Sequence, residues 1–214
     1  MVFFLALFLL WILSRFKKDY RKLITALGWL SILFGFVMVY CMARIYMLPT
    51  QAAWNSSTVI VSFFATTFLL GTMAIACLLV LDLKFAEIQK ADDIDVRAQV
   101  IKYSMVWLAP VAFLAVAVII AVTFYQIYLL GQGDFIAQTS LKLLFDLYTP
   151  LFVLRLFCII VAPCWMGYAV YRMRKAGSAP QGLMIPVYMS CLLILIGEII
   201  GRFLFFATHI GVGI

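Results

Sequence analysis

Five stretches of this sequence are apolar over a length that can cross a membrane as a helix. A spanning helix needs about 20 apolar residues to traverse roughly 30 Å of hydrocarbon, and a helix satisfies its own backbone hydrogen bonds in lipid. Because 67% of the chain is hydrophobic and only 12% is charged, a soluble fold of this size could not bury so much apolar surface. We predict an all-α integral membrane protein, a single bundle of about six transmembrane helices over residues 1–214 with the first one truncated. The predicted segments are 1–14, 23–48, 58–81, 103–130, 151–173 and 183–210.

The first apolar segment is shorter than the other five. Its 14 residues would rise only about 21 Å as a helix. A signal peptide carries its positive charge before the apolar core, whereas here the basic run 15–22 follows it. We therefore expect this segment to be the end of a spanning helix whose beginning is absent from the chain.

The basic residues alternate between the two sides of the predicted bundle. Lys142 is the only basic residue in the loops 49–57 and 131–150. By the positive-inside rule, the basic loops are predicted to be cytoplasmic and the C-terminus to lie outside. The net charge of +7 is then a topology signal, and we expect no nucleic-acid partner. The basic loops hold twelve of the 16 Lys and Arg residues: Arg15, Lys17, Lys18, Arg21, Lys22, Lys84, Lys90, Arg97, Lys102, Arg172, Arg174 and Lys175.

No residue pattern predicts a metal site. The five cysteines form no Cys-x-x-Cys pair and all lie in apolar runs, which is typical of small hydrophobic residues in a packed core. The acidic run 92–95 lacks the glycine and the closing glutamate of a calcium loop, so the loop 82–102 is interpreted as a solvated helical extension and turn. The outer loop 131–150 has apolar residues near helical spacing, which predicts a short amphipathic helix at the interface.

Five ionisable residues fall within or beside the apolar segments: Arg44, Arg155, Glu198, Arg202 and His209. Charges at membrane depth are costly and are functional candidates by default. Glu198 and Arg202 are four residues apart, and His209 follows two turns later, so the three share one helix face. The pair is either a structural clamp within the helix or the wall of a polar pocket for a quinone head group or a proton path.

The outer ends of the segments add further candidates. Arg44 and Arg155 lie on the same side as the Glu198 stripe, where either could simply extend its side chain to the lipid head groups. Together with Tyr46 and Trp54, however, they predict an outer-facing polar pocket covered by aromatic rings. Glycines at 197 and 201 would let a neighbouring helix approach closely. We expect no haem, since a b-type haem between helices normally uses two axial ligands and the chain has one histidine.

The C-terminal run 197–213, Gly-Glu-Ile-Ile-Gly-Arg-Phe-Leu-Phe-Phe-Ala-Thr-His-Ile-Gly-Val-Gly, closely resembles the last helix of the dimethyl sulfoxide reductase anchor subunit family. The Arg44-Ile45-Tyr46 stretch, Trp54 downstream of it and the region of Gly71 are also similar to that family. The similarity extends through essentially all of the sequence.

The resemblance implies a bacterial inner-membrane anchor with eight spanning helices and no haem. In that family the anchor holds a molybdopterin catalytic subunit and a four-cluster iron–sulfur subunit, and it oxidises menaquinol. This sequence departs from the family because the first two helices and the start of the third are missing. Those helices carry the family's best-supported quinol-site histidine and glutamate, so no residue here can inherit those roles.

The sequence therefore predicts a non-catalytic anchor that passes electrons from menaquinol to its partner subunits. Glu198, Arg202, His209 and Arg44 are the candidates for the quinol pocket. Arg155, Tyr46 and Trp54 are expected to support that pocket or to dock a partner. The alternative is a small-molecule or ion transporter with no redox partner, which would be expected to show paired halves and broken helices around a midplane site.

Overall fold

The computed structural model describes Phe8 and residues 21–48, 54–89, 93–176 and 180–207. Apart from Phe8, the predicted first segment lies outside the described residues, and so does His209. Six α-helices and one short 3₁₀ helix account for most of the described residues. They are α1 (Arg21–Tyr46), α2 (Ser57–Ile88), α3 (Ile94–Gln132), α4 (Phe135–Asp146), α5 (Thr149–Ala176), the 3₁₀ helix (Pro180–Leu183) and α6 (Met184–Ala207).

Five of these helices, α1, α2, α3, α5 and α6, are long and apolar enough to cross a membrane. The prediction of an all-α membrane bundle is confirmed. The helix α4 lies in the loop 131–150, in which a short helix was predicted. The position of α2 along the sequence is set by Ser56, whose Oγ accepts a hydrogen bond from the Thr58 backbone N–H at 3.3 Å and so caps the first turn.

The helices α2 and α3 both extend beyond their apolar segments into the loop 82–102. The helix α2 continues to Ile88 and α3 already begins at Ile94, as the interpretation of this loop as a helical extension predicts. Arg97 on α3 donates from Nη1 to both carboxylate oxygens of Asp82 on α2, at 2.8 and 2.9 Å, and from Nε to Asp93 at 2.9 Å. The Arg97–Asp82 ion pair ties the two helices together where they leave the apolar region, and the Arg97–Asp93 pair lies at the first turn of α3.

The helices α2, α3, α5 and α6 form a closed ring of neighbours, and α1 packs mainly against α2. Between α5 and α6, the Ser190 hydroxyl donates to the Ala162 carbonyl at 2.8 Å. Close packing through small side chains is the usual basis of helix association in lipid, where no hydrophobic force drives it. The core of the ring is accordingly rich in alanine, including Ala65, Ala76, Ala109, Ala112, Ala115 and Ala162.

The two ends of the bundle differ in charge. The basic end contains the α2–α3 connection and the 3₁₀ helix between α5 and α6. The opposite end contains the α1–α2 connection, the short helix α4 and the end of α6. Since α4 packs against both α3 and α5, it covers the bundle at the opposite end.

Candidate functional site

A polar cavity of about 100 Å³ lies at the opposite end of the bundle. The helices α2, α3, α4, α5 and α6 all contribute to its wall. It therefore lies between the helices and is not formed by one of them. Its lining residues are Trp54, Ser62, Thr66, Thr123, Gln126, Ile127, Leu130, Ser140, Leu144, Phe152, Arg155, Glu198, Gly201, Arg202, Leu204 and Phe205.

Glu198 presents a partly satisfied carboxylate to this cavity. The residue is only 6% exposed, and the Thr66 hydroxyl of α2 donates to its Oε2 at 3.1 Å. Its Oε1 is buried and has no hydrogen-bond partner among the described residues. A buried acceptor without a partner is costly, so Oε1 is the carboxylate oxygen that is still available to accept a hydrogen bond.

Arg155 brings a guanidinium into the same cavity by lying against a glycine. A Cβ built on Gly201 of α6 would lie 2.6 Å from Arg155 Nε and 2.9 Å from Cζ. One turn earlier, a Cβ on Gly197 would lie 2.8 Å from Ile159 Cγ2 and 3.2 Å from Cys158 Cβ. The prediction that these glycines admit a neighbouring helix is confirmed, and that helix is α5. Arg155 Nε is buried without a hydrogen-bond acceptor among the described residues.

Arg202 lines the cavity from the same helix as Glu198 but makes no direct ion pair with it in the described structure. Its Cζ lies 4.0 Å from the centre of the Phe63 ring, a cation–π contact. Thr66 holds the carboxylate and Phe63 holds the guanidinium, so each charge is fixed by α2. The spacing of Glu198 and Arg202 also allowed a structural clamp within one helix. The described structure does not contain that clamp, because each side chain contacts α2 instead.

The three charges of the cavity do not balance one another. Two guanidinium groups, those of Arg155 and Arg202, share the space with the single Glu198 carboxylate. Charges removed from water are stabilised only when partners compensate their lost hydration. The excess of positive charge, next to an unpartnered carboxylate oxygen, suits a ligand that donates a proton and gains negative charge.

Aromatic rings close the cavity on the side of the α1–α2 connection. The Trp54 indole stacks on the Phe205 ring, with centroids 5.0 Å apart and planes at 7°, and its Nε1 donates to the Phe205 carbonyl at 3.0 Å. Tyr46, at the end of α1, meets Trp54 and Phe205 edge to face at 6.2 and 5.7 Å. Tyr46, Trp54, Phe63, Phe205 and Phe206 form what we call the aromatic roof.

The structure brings together some of the candidate residues and leaves others apart. Glu198, Arg202, Arg155 and Trp54 line the cavity, and Tyr46 belongs to the aromatic roof. Arg44 is exposed and does not line the cavity; its Nη1 lies 3.7 Å from Met47 Sδ. The reason is that Arg44 sits on α1, which packs against α2 outside the ring of four helices.

Sequence reasoning missed the uncharged polar part of the wall. Thr66, Thr123, Gln126 and Ser140 were not selected, although each lines the cavity. The sequence did indicate one of these residues, because Gln126 is the only amide side chain in the apolar segment 103–130.

These features define a class of protein: a multi-pass helical membrane protein whose bundle encloses a charged cavity near one end. A family model described as the DMSO reductase anchor subunit (DmsC) matches residues 1–208. The chain therefore belongs to the DMSO reductase anchor subunit family and is a membrane anchor of that type, as the resemblance of its C-terminal helix predicted. No curated protein and no solved structure matches the sequence.

Proposed function

We propose that this protein anchors an iron–sulfur electron-transfer subunit and a molybdopterin catalytic subunit to the bacterial cytoplasmic membrane, and that it oxidises menaquinol at the polar cavity. The family supports the anchoring role. The unpartnered Oε1 of Glu198, buried beside two guanidinium groups, is the observation that supports quinol oxidation. The molybdenum and iron–sulfur chemistry belongs to the partner subunits.

Oxidation of a quinol releases two electrons and two protons and leaves the quinone. In the proposed reaction a quinol hydroxyl donates its hydrogen bond, and then its proton, to Glu198 Oε1. Arg155 and Arg202 stabilise the negative charge that develops on the quinol oxygen, in surroundings where such charges interact more strongly than in water. The two electrons leave to the nearest cluster of the iron–sulfur subunit, and the second quinol hydroxyl gives its proton to water, so that both electrons and both protons have an acceptor.

The size of the cavity limits how a quinol can enter. At about 100 Å³ it is smaller than the roughly 300–1,000 Å³ of typical ligand pockets. We therefore place only the hydroxyl-bearing edge of the ring inside it, with the remainder of the head group against the aromatic roof. The apolar tail then extends between helices into lipid.

The charge asymmetry orients the proposed complex. The basic end faces the cytoplasm by the positive-inside rule, which puts the cavity, the aromatic roof and the C-terminus on the outer side. Protons from the quinol are then released outside. The partner subunits dock on the outer face, within electron-transfer distance of the cavity.

Replacement of Glu198 by Gln tests quinol oxidation directly. Since the amide cannot accept a proton at neutral pH, E198Q in the intact complex is expected to lower quinol:acceptor activity by about 10²-fold, the scale of a lost general base. The control is E87Q, a carboxylate at the basic end, which is expected to keep full activity. Equal activity of E198Q and wild type would overturn the assignment.

Copurification tests the anchoring role separately. Mild-detergent extraction of the tagged protein is expected to recover two partner polypeptides that carry molybdenum and iron–sulfur clusters. Metal analysis and visible absorption of the purified sample provide the measurement. Recovery of the protein without them would favour the alternative of a transporter with no redox partner.

A further inference from the structure

A second cavity lies at the basic end, in a groove between α3 and α5. Its volume is about 490 Å³, and its lining consists of Val106 from α3 with Gly167, Val170, Tyr171, Arg174 and Lys175 from α5. The α5 residues 167, 170, 171 and 174 recur at helical spacing and therefore share one face. The groove is a continuous strip along α5 that ends in two cations.

The inner part of the groove is apolar and shaped by a glycine. A Cβ on Gly167 would lie 2.7 Å from Phe113 Cε2, so only glycine allows the Phe113 ring to lie against the α5 backbone here. Val170 is 5% exposed and forms the floor one turn nearer the cations. A hydrocarbon tail can lie along this strip without meeting a polar group of the lining.

The outer part of the groove holds positive charge without a described counter-ion. Arg174 and Lys175 are exposed, and the ion pairs formed by the described residues all involve Arg97, with Asp82 and Asp93. No carboxylate contributes to the lining. The Tyr171 hydroxyl is a further hydrogen-bond donor on the same face.

We propose that this groove binds an anionic phospholipid of the surrounding membrane. The phosphate lies between Arg174, Lys175 and the Tyr171 hydroxyl, because charge-assisted hydrogen bonds to phosphate oxygens are short and strong. An acyl tail follows Val106 and Val170. Basic pockets between transmembrane helices suit such head groups, and the continuous apolar strip distinguishes this site from one for a free phosphate ion.

The test uses the full-length protein with its copurifying subunits in a neutral detergent. Thermal unfolding is followed while short-tailed phosphatidylglycerol, phosphatidylcholine or inorganic phosphate is added, since a ligand that binds only the folded state raises its stability. We expect a saturable rise of the unfolding temperature with phosphatidylglycerol alone. The double variant R174Q/K175Q is expected to weaken the apparent affinity by about tenfold or more.

The matched control is K22Q/K84Q, which removes two exposed cations of the basic end that lie outside the groove. It is expected to bind phosphatidylglycerol as wild type does. Equal weakening in both double variants would show a diffuse surface effect and overturn the proposal. A response to inorganic phosphate as large as that to phosphatidylglycerol would also overturn it, by showing a site for a free anion.

A third variant separates the groove from its charges. V106F fills the apolar strip and leaves Arg174 and Lys175 in place, so it is expected to reduce phosphatidylglycerol binding while the unfolding temperature without lipid stays close to that of wild type. Unchanged binding by V106F would overturn the proposal, because the charges would then act without the groove. V106F also keeps the proposal testable if R174Q/K175Q does not fold.

Discussion

The hydrogen bond from Thr66 fixes the Glu198 carboxylate from a neighbouring helix. Thr66 Oγ1 donates to Oε2, whereas the buried Oε1 has no partner among the described residues. The next residue, Thr67, instead donates to the Phe63 carbonyl of its own helix at 2.8 Å. Two adjacent threonines thus differ in whether the hydroxyl reaches another helix.

Thr66→Val removes that donor with little change in shape. A second buried carboxylate oxygen then lacks a partner, which costs about 1–3 kcal/mol, and the carboxylate is no longer held towards the cavity. We expect a lower unfolding temperature and reduced quinol:acceptor activity in the purified complex. Thr67→Val is the matched control and should leave the activity at the wild-type level; loss of activity in both variants would contradict a specific role for Thr66.

Gly201→Ala tests the packing of Arg155 against α6. The added methyl would lie 2.6 Å from Arg155 Nε, so the guanidinium must move out of its present position. Overpacking typically costs about 1–3 kcal/mol, and we expect a lower unfolding temperature in detergent.

The control for Gly201→Ala is Gly71→Ala, since a Cβ on Gly71 meets nothing within 4 Å. Alanine favours a helix over glycine by about 1 kcal/mol, so this variant should unfold at the same temperature as wild type or higher. The two substitutions are chemically identical, so any difference between them reflects the surroundings of the two glycines. We expect the change in unfolding temperature to have opposite signs in the two variants. The same sign for both would show that the Arg155 contact is not a tight one.

At the level of elements, an exposed ion pair links the charged ends of α2 and α3 beside the apolar core. Arg97 and Asp82 are 37% and 52% exposed. Exposed pairs of this kind contribute little to stability and are screened by salt. Their effect lies in the relative placement of the two helix ends.

Asp82→Asn is therefore expected to lower the unfolding temperature only slightly at low ionic strength. In about 1 M salt, where the screening length is about 3 Å, the difference from wild type should vanish. Unfolding curves at the two salt concentrations measure this. A large effect that persists in high salt would mean that the pair carries more of the helix packing than its exposure indicates.

The helices could be predicted from the sequence to a large extent, because every segment that crosses lipid must satisfy its own backbone hydrogen bonds. Long apolar runs predict helices, and the five described spanning helices follow them. The charged extensions of α2 and α3 depended on helical propensity beyond the lipid, and their bounds were accordingly less well determined. The short helix α4 was predicted by the spacing of its apolar residues.

The site could be predicted only in part, because periodicity describes one helix at a time. The stripe of Glu198 and Arg202 was found, since both lie on α6. That Thr66 binds the carboxylate, or that Phe63 lies against the Arg202 guanidinium, depends on how α2 packs against α6. Arg44 shares its side of the bundle with the cavity, but α1 holds it outside the ring of four helices.

At the scale of the whole molecule, the cavity depends on elements that are distant in the sequence. The carboxylate from α6, its hydroxyl partner from α2 and the guanidinium from α5 meet only after all three helices have packed. A fragment of the bundle cannot form this arrangement. The outermost helix, α1, contributes through the aromatic roof alone, by way of Tyr46.

The contact of Arg155 with Gly201 has a consequence for biosynthesis. The ribosome completes α5 before α6, so Arg155 reaches the translocon ahead of the helix that receives it. Insertion of an arginine costs at most about 2.5–3.5 kcal/mol on translocon scales, and Glu198 and the glycine surface of α6 become available only after the next helix has been synthesised. We therefore expect α5 to enter the bilayer more efficiently when α6 follows it than when α5 is synthesised without α6.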